Sequence, residues 1–219
     1  MIFKVSSINN DLIQSAYDEG MRVLNEFWGI NWEDDIPDIY VLQSRKDIDA
    51  LKGRKTEDWV VGFGGSANAG KAAIYLLDPD KYDSESNHKK DDNRFKALIT
   101  HELCHLFVFH LQERTQPIGP MWWNEGICVY LSGQLKYHRK PEKFVGFLDS
   151  SRNNNPKMAY DEGGYVIELL VNKFGKNKLT ELIELLGNEK TDGEIKELFT
   201  RVYGFELTYD EMNKLYLEK

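Results

Sequence analysis

The residues best suited to chemistry stand in one short run, His101-Glu102-Leu103-Cys104-His105. On a helix, side chains four positions apart stack on one face, so His101 and His105 share a face. Two imidazoles so placed can hold one Zn²⁺, and Glu102, one step around, can reach water beside that metal. The flanks predict a helix over 95–110. Leu98, Ile99, Leu103, Leu106, Phe107, Val108 and Phe109 point in nearly every direction, as in a helix that runs through a core. Two histidines and a carboxylate at that depth are costly without a balancing charge, and a divalent cation supplies one. A chance pattern on an ordinary helix is the competing explanation. The rest of the chain must therefore supply a third ligand, a substrate platform and an oxyanion donor.

A catalytic zinc site takes three protein ligands and leaves a fourth position open. The candidate third ligand is Glu125, in Met121-Trp122-Trp123-Asn124-Glu125-Gly126. It opens a helix after the Pro117, Gly119, Pro120 break, where the chain can turn back and present its carboxylate to the histidines. A carboxylate near a helix N-terminus is also simply favoured by the helix dipole, but that does not account for the aromatic pair before it.

His-Glu-Leu-Cys-His followed about twenty residues later by Trp-Asn-Glu-Gly resembles the gluzincin zinc metallopeptidases, most of all the aminopeptidase N group and the shorter peptidase MA-like proteins. The resemblance implies zinc on His101, His105 and Glu125, with Glu102 as general base. Ala159-Tyr160-Asp161-Glu162-Gly163-Gly164 is similar to the family's Tyr-(Glu/Asp)-Lys-Gly stretch, which implies Tyr160 as oxyanion donor, with Tyr165 as the fallback. The family's substrate-binding edge strand corresponds to Gly65–Leu77. Three positions depart from the pattern. Gly65-Ser66-Ala67-Asn68-Ala69-Gly70 has no acid to hold a free substrate amine, Glu162 replaces a lysine, and Val129 stands where thermolysin-like relatives orient a zinc histidine with an aspartate. The resemblance implies a metallopeptidase that cleaves a peptide or protein substrate. The alternative is an inactive zinc-binding protein that holds a peptide or protein partner in the same cleft.

These side chains need elements to carry them. Helices are predicted over Asp11–Trp28, where apolar residues recur at helical period, and over Arg45–Lys52, with Ser44 able to cap and Gly53 to stop it. Strands are predicted at Ile39–Leu42, Trp59–Gly64 and Lys71–Leu77, and a polar loop at Lys81–Asn93 with His88 in solvent. Beyond the break nearly everything is helical: Asn124–Lys136, Pro141–Leu148, Ala159–Phe174, Leu179–Leu186, Glu194–Tyr203, and Thr208–Tyr216 opened by a Thr208/Glu211 capping box. The expected fold is α+β, a zincin-like domain of two lobes. Residues 1–115 make an α/β lobe with a small mixed sheet and the histidine helix, and residues 116–219 an all-helical lobe carrying Glu125.

Composition bounds the rest. The chain has 219 residues and is 41% hydrophobic, enough for a sizeable core. A formal charge of −8 argues against a nucleic-acid partner. No apolar run is long enough for a bilayer, and Met1–Ser7 lacks the pattern of a leader, so a cytoplasmic protein without a membrane partner is expected. Cys104 and Cys128 fit buried thiols rather than a disulfide framework.

Overall fold

The computed structural model describes residues 10–66, 71–112, 119–150, 155–186 and 192–218. Residues 1–9, which hold the Met1–Ser7 stretch considered above, residues 67–70 of the Gly65–Gly70 stretch and residues 113–118, which include Pro117, lie outside this set. In chain order the elements are α1 (Asp11–Trp28), β1 (Asp38–Leu42), α2 (Arg45–Lys52), β2 (Gly62–Ser66), β3 (Ala72–Leu77), α3 (Tyr82–Glu85), α4 (Asp92–Leu111), α5 (Met121–Leu131), α6 (Lys157–Asp161), α7 (Gly163–Phe174), α8 (Lys176–Leu186), α9 (Asp192–Tyr203) and α10 (Tyr209–Leu217). The architecture is mixed α+β and mostly helical.

The sheet is small and mixed, in the order β1-β3-β2. β1 runs parallel to β3, with Ile39 opposite Ile74, and β2 runs antiparallel to it, with Phe63 opposite Tyr75. This corrects the edge-strand expectation of Gly65–Leu77. β3 lies in the middle and spends both of its hydrogen-bonding edges, so among the described residues the free edge beside α4 belongs to β2. Glycine lets β2 lie close to that helix. A methyl group at Gly62 would stand 3.1 Å from Leu76 and 3.4 Å from Glu102 Oε1.

α4 runs through the core as expected, but it begins earlier, where Asp91 caps it by accepting from the backbone N–H of Asn93 and Arg94 at 2.9 and 3.0 Å. Phe95, Ile99, Leu103, Leu106 and Phe107 are buried on several sides of it. α1 packs against it through Ala16, Gly20 and Leu24, with a methyl at Gly20 only 2.9 Å from Leu103. Behind the sheet, the buried Arg45 acts as a staple. Its side chain donates to the carbonyls of Glu57, Asp58 and Glu85 and to Thr56 Oγ1, at 2.7–3.1 Å. The polar loop after β3 is shorter than expected, since Tyr82–Glu85 forms α3.

α5 crosses α4 and is itself crossed by α7 at very close range. A methyl on Gly126 would lie 2.6 Å from the Gly163 carbonyl carbon, and one on Gly163 would lie 2.6 Å from the Trp122 carbonyl oxygen. Only hydrogen fits on either side of that contact.

Two expectations fail here. Pro141–Leu148 is not a helix, and Ala159–Phe174 is not one continuous helix but α6 and α7 broken at Glu162. Glu162 is buried, and its carboxylate accepts from the backbone N–H groups of Val145, Gly146 and Phe147 at 2.9–3.1 Å. Asn213 takes the Phe144 N–H at 2.6 Å. With those donors committed to side chains, no helical ladder forms there. The expected helix over Asn124–Lys136 likewise becomes α5 followed by a 3₁₀ turn at Gln134–Tyr137.

Two variants test these contacts. Glu162→Ala strips three backbone donors of their acceptor and is expected to lower stability by about 3 kcal/mol, with Glu162→Gln clearly milder because one acceptor oxygen remains. Chemical denaturation measures both, and equal costs would contradict the assigned role. Gly163→Ala forces α5 and α7 apart and is expected to cost about 2–3 kcal/mol, a fall of about 4–12 °C in Tm by calorimetry.

Candidate metal centre

The α4–α5 crossing brings the separated residues together. Glu125 Oε2 lies 3.3 Å from His101 Nε2 and 3.4 Å from His105 Nε2. The His101 side chain is 6% exposed, and those of His105 and Glu125 are each 16% exposed. Glu125 is the fifth residue of α5, not its first. Asn124, just before it, fastens the start of that helix by donating from Nδ2 to the Gly119 carbonyl at 3.2 Å.

The charges in this cluster support one another. Burial works against a charged imidazole at His105, but the carboxylates of Glu125 and Glu102 outweigh it and push its pKa up to about 9. Burial likewise opposes a charged Glu125, and the two imidazoles overcome it, holding its carboxyl well below the usual carboxylate range.

The donor set fits a zinc ion. Ligand atoms bound tetrahedrally about 2.0–2.1 Å from one metal stand roughly 3.3 Å from each other, which is the spacing of Glu125 from each imidazole. Two neutral ring nitrogens and a carboxylate oxygen are also the donor types zinc takes.

Cys128, one helical turn after Glu125, lies in the same cluster. Its Sγ is 3.3 Å from His105 Nδ1. His101, His105 and Cys128, with donor atoms within 4.8 Å of one another, form a group that could hold a metal ion. The two sets differ in geometry. Glu125 meets the Nε2 atoms of both rings, whereas Cys128 faces the other nitrogen of one ring. They differ in charge too. Burial, with neighbouring Cys104 adding to it, pushes the Cys128 thiol well up. Both cysteines are buried and free.

Glu102 is buried beside the cluster, beneath Gly62 of β2. The Tyr160 ring stacks on His101, with centroids 6.2 Å apart and planes 19° apart. Burial first, then the Glu125 and Glu102 carboxylates, drive its pKa far above the ordinary phenol value, so the O–H keeps its proton. Tyr165 is elsewhere, donating to the carbonyls of His138 at 2.9 Å and Leu135 at 3.2 Å. Asp161 anchors the turn after Tyr160 through His138 Nδ1 at 2.9 Å and Lys157. Trp59, 45% exposed, meets Tyr160 edge-on at 6.5 Å, and His88 contacts the Trp59 carbonyl at 2.9 Å.

Sequence reasoning passed over Cys128 and Trp59. Cys128 had a signal: three positions after Glu125 on a helix, it shares the face turned toward the histidines. Trp59 had none, since it is placed by the loop in front of β2.

A family model described as Peptidase MA superfamily matches residues 92–217, from the first residue of α4 to the last of α10. The chain belongs to the peptidase MA superfamily. The part of this peptidase MA member that matches holds His101, Glu102, His105, Glu125 and Tyr160, and it leaves α1 and the sheet outside. No curated protein and no solved structure matches the chain. Membership makes this a metallopeptidase-like domain. None of its described helices is long and apolar enough to cross a membrane.

If Glu125 completes the donor set, Glu125→Ala is expected to weaken zinc binding by about 100-fold or more in chelator competition. Glu26→Ala, on the exposed face of α1, is expected to leave it unchanged.

Proposed function

We propose that this protein is a zinc-dependent metallopeptidase that hydrolyses peptide bonds. One observation carries the proposal: in a member of the peptidase MA superfamily, Glu125 sits between the Nε2 atoms of His101 and His105 at the spacing of ligands on one ion. His101, His105 and Glu125 would hold the zinc. Bound there, zinc supplies Lewis acidity toward the scissile carbonyl and makes water more acidic.

The chain's own groups do the rest. Glu102 follows a ligand directly in sequence and is buried beside the site; as general base it takes the proton of the attacking water and delivers it to the leaving amine. Tyr160 keeps its phenolic proton and donates to the developing oxyanion. The free edge of β2 runs past Glu102, so an extended substrate can add to it by main-chain hydrogen bonds. Trp59 is exposed and stands against Tyr160, where it can meet a bound substrate. With no acid in Gly65-Ser66-Ala67-Asn68-Ala69-Gly70, the proposed activity carries no aminopeptidase specificity.

The test uses zinc-loaded protein and mixed peptide libraries read by mass spectrometry. Glu102→Gln is expected to keep its zinc and lose hydrolysis by about 10²- to 10⁴-fold. A variant that cleaves as fast as the wild type refutes the mechanism. Peptide binding without turnover by the wild type refutes peptidase activity and favours a peptide-binding protein.

A further inference from the structure

The peptidase MA reading leaves one question at the site itself. A histidine that binds metal through one ring nitrogen usually donates a hydrogen bond from the other, and the acceptor fixes the tautomer and ring orientation. That acceptor is commonly a carboxylate or carbonyl oxygen. The aspartate that could serve from α5 is replaced by Val129. Of the two rings here, His101 has its Nδ1 buried with no hydrogen-bond partner among the described residues, whereas His105 Nδ1 faces a sulfur.

We infer that Cys128 is the positioning residue for His105: its Sγ accepts the Nδ1–H and so points the Nε2 lone pair at the metal position beside Glu125. Three observations carry this. The Cys128 Sγ to His105 Nδ1 distance is 3.3 Å, within the range of a hydrogen bond to sulfur. Nε2 of the same ring faces Glu125 at 3.4 Å, so the ring is used from both sides at once. Cys128 and Glu125 lie on one face of α5, so one rigid element carries both the proposed ligand and the acceptor that orients its neighbour. Cys128 is fully buried, in contact with Cys104 of α4, and its sulfur has no competing solvent.

The inference rests on the proposed zinc site, and the experiment separates the two. Zinc affinity is measured by chelator competition for the wild type, Cys128→Ser and Cys128→Ala. The cobalt-substituted wild type is examined by absorption spectroscopy, and the histidine tautomers of the zinc-loaded wild type by ¹⁵N NMR. Cys128→Ala is expected to lose about 10- to 100-fold in affinity, with Cys128→Ser, whose hydroxyl also accepts, recovering most of it. Cobalt protein is expected to show no thiolate-to-metal charge-transfer band, and His105 to carry its proton on Nδ1. Wild-type affinity in Cys128→Ala, or equal losses in the Ser and Ala variants, overturns the acceptor role while leaving the zinc site standing. A charge-transfer band overturns it differently, by making Cys128 a ligand. The NMR arm needs no variant, and a metal-bound Nδ1 on His105 also overturns it. A wild type that takes up no zinc refutes the proposed function and this inference together.

Discussion

One carboxylate between two imidazoles, almost out of reach of solvent, is the constraint on which the remaining structure depends. Each partner alone would be expensive to bury. Together they offset that cost, with Glu125 kept ionised by the rings and His105 made more basic by the carboxylates. The arrangement requires two helices to cross at one level and hold that level. α4 is fixed by apolar packing on several faces, and α5 by the Asn124 tie at its start and the glycine contact with α7. That same contact sets where α7 begins, and so where Tyr160, just upstream, meets His101.

Much of this was legible in the sequence where one local rule dominates. The period of α1, the all-round burial of α4, the cap of α10 and the convergence of His101, His105 and Glu125 follow from spacing and residue type. What was not legible was decided by partners far away in the chain. The missing helix at Pro141–Leu148 goes with Glu162, whose carboxylate reaches back about one loop to gather amide groups. Tyr160 and Tyr165 are equally good phenols on paper. They fall on different helices, Tyr160 on α6 and Tyr165 on α7, so one faces a histidine and the other faces backbone carbonyls. The edge strand was misplaced because sequence shows that a segment is extended but not which neighbours it pairs with.

Two departures from the family pattern thereby gain physical content. Glu162 in place of a lysine is a structural exchange: its carboxylate organises a loop of this chain. The change at Val129 has a counterpart one position earlier, where a helix offset of three residues instead of four turns Cys128 toward His105. In both cases the altered residue makes sense only with the segment it touches.

Arg45 has a consequence for the aromatic side chain that meets Tyr160. A guanidinium is a flat fork whose N–H groups leave at fixed angles, and here it grips successive carbonyls of the stretch that leads to Trp59. The indole beside Tyr160 is thus latched from behind by a rigid bracket, not hung on a swinging flap.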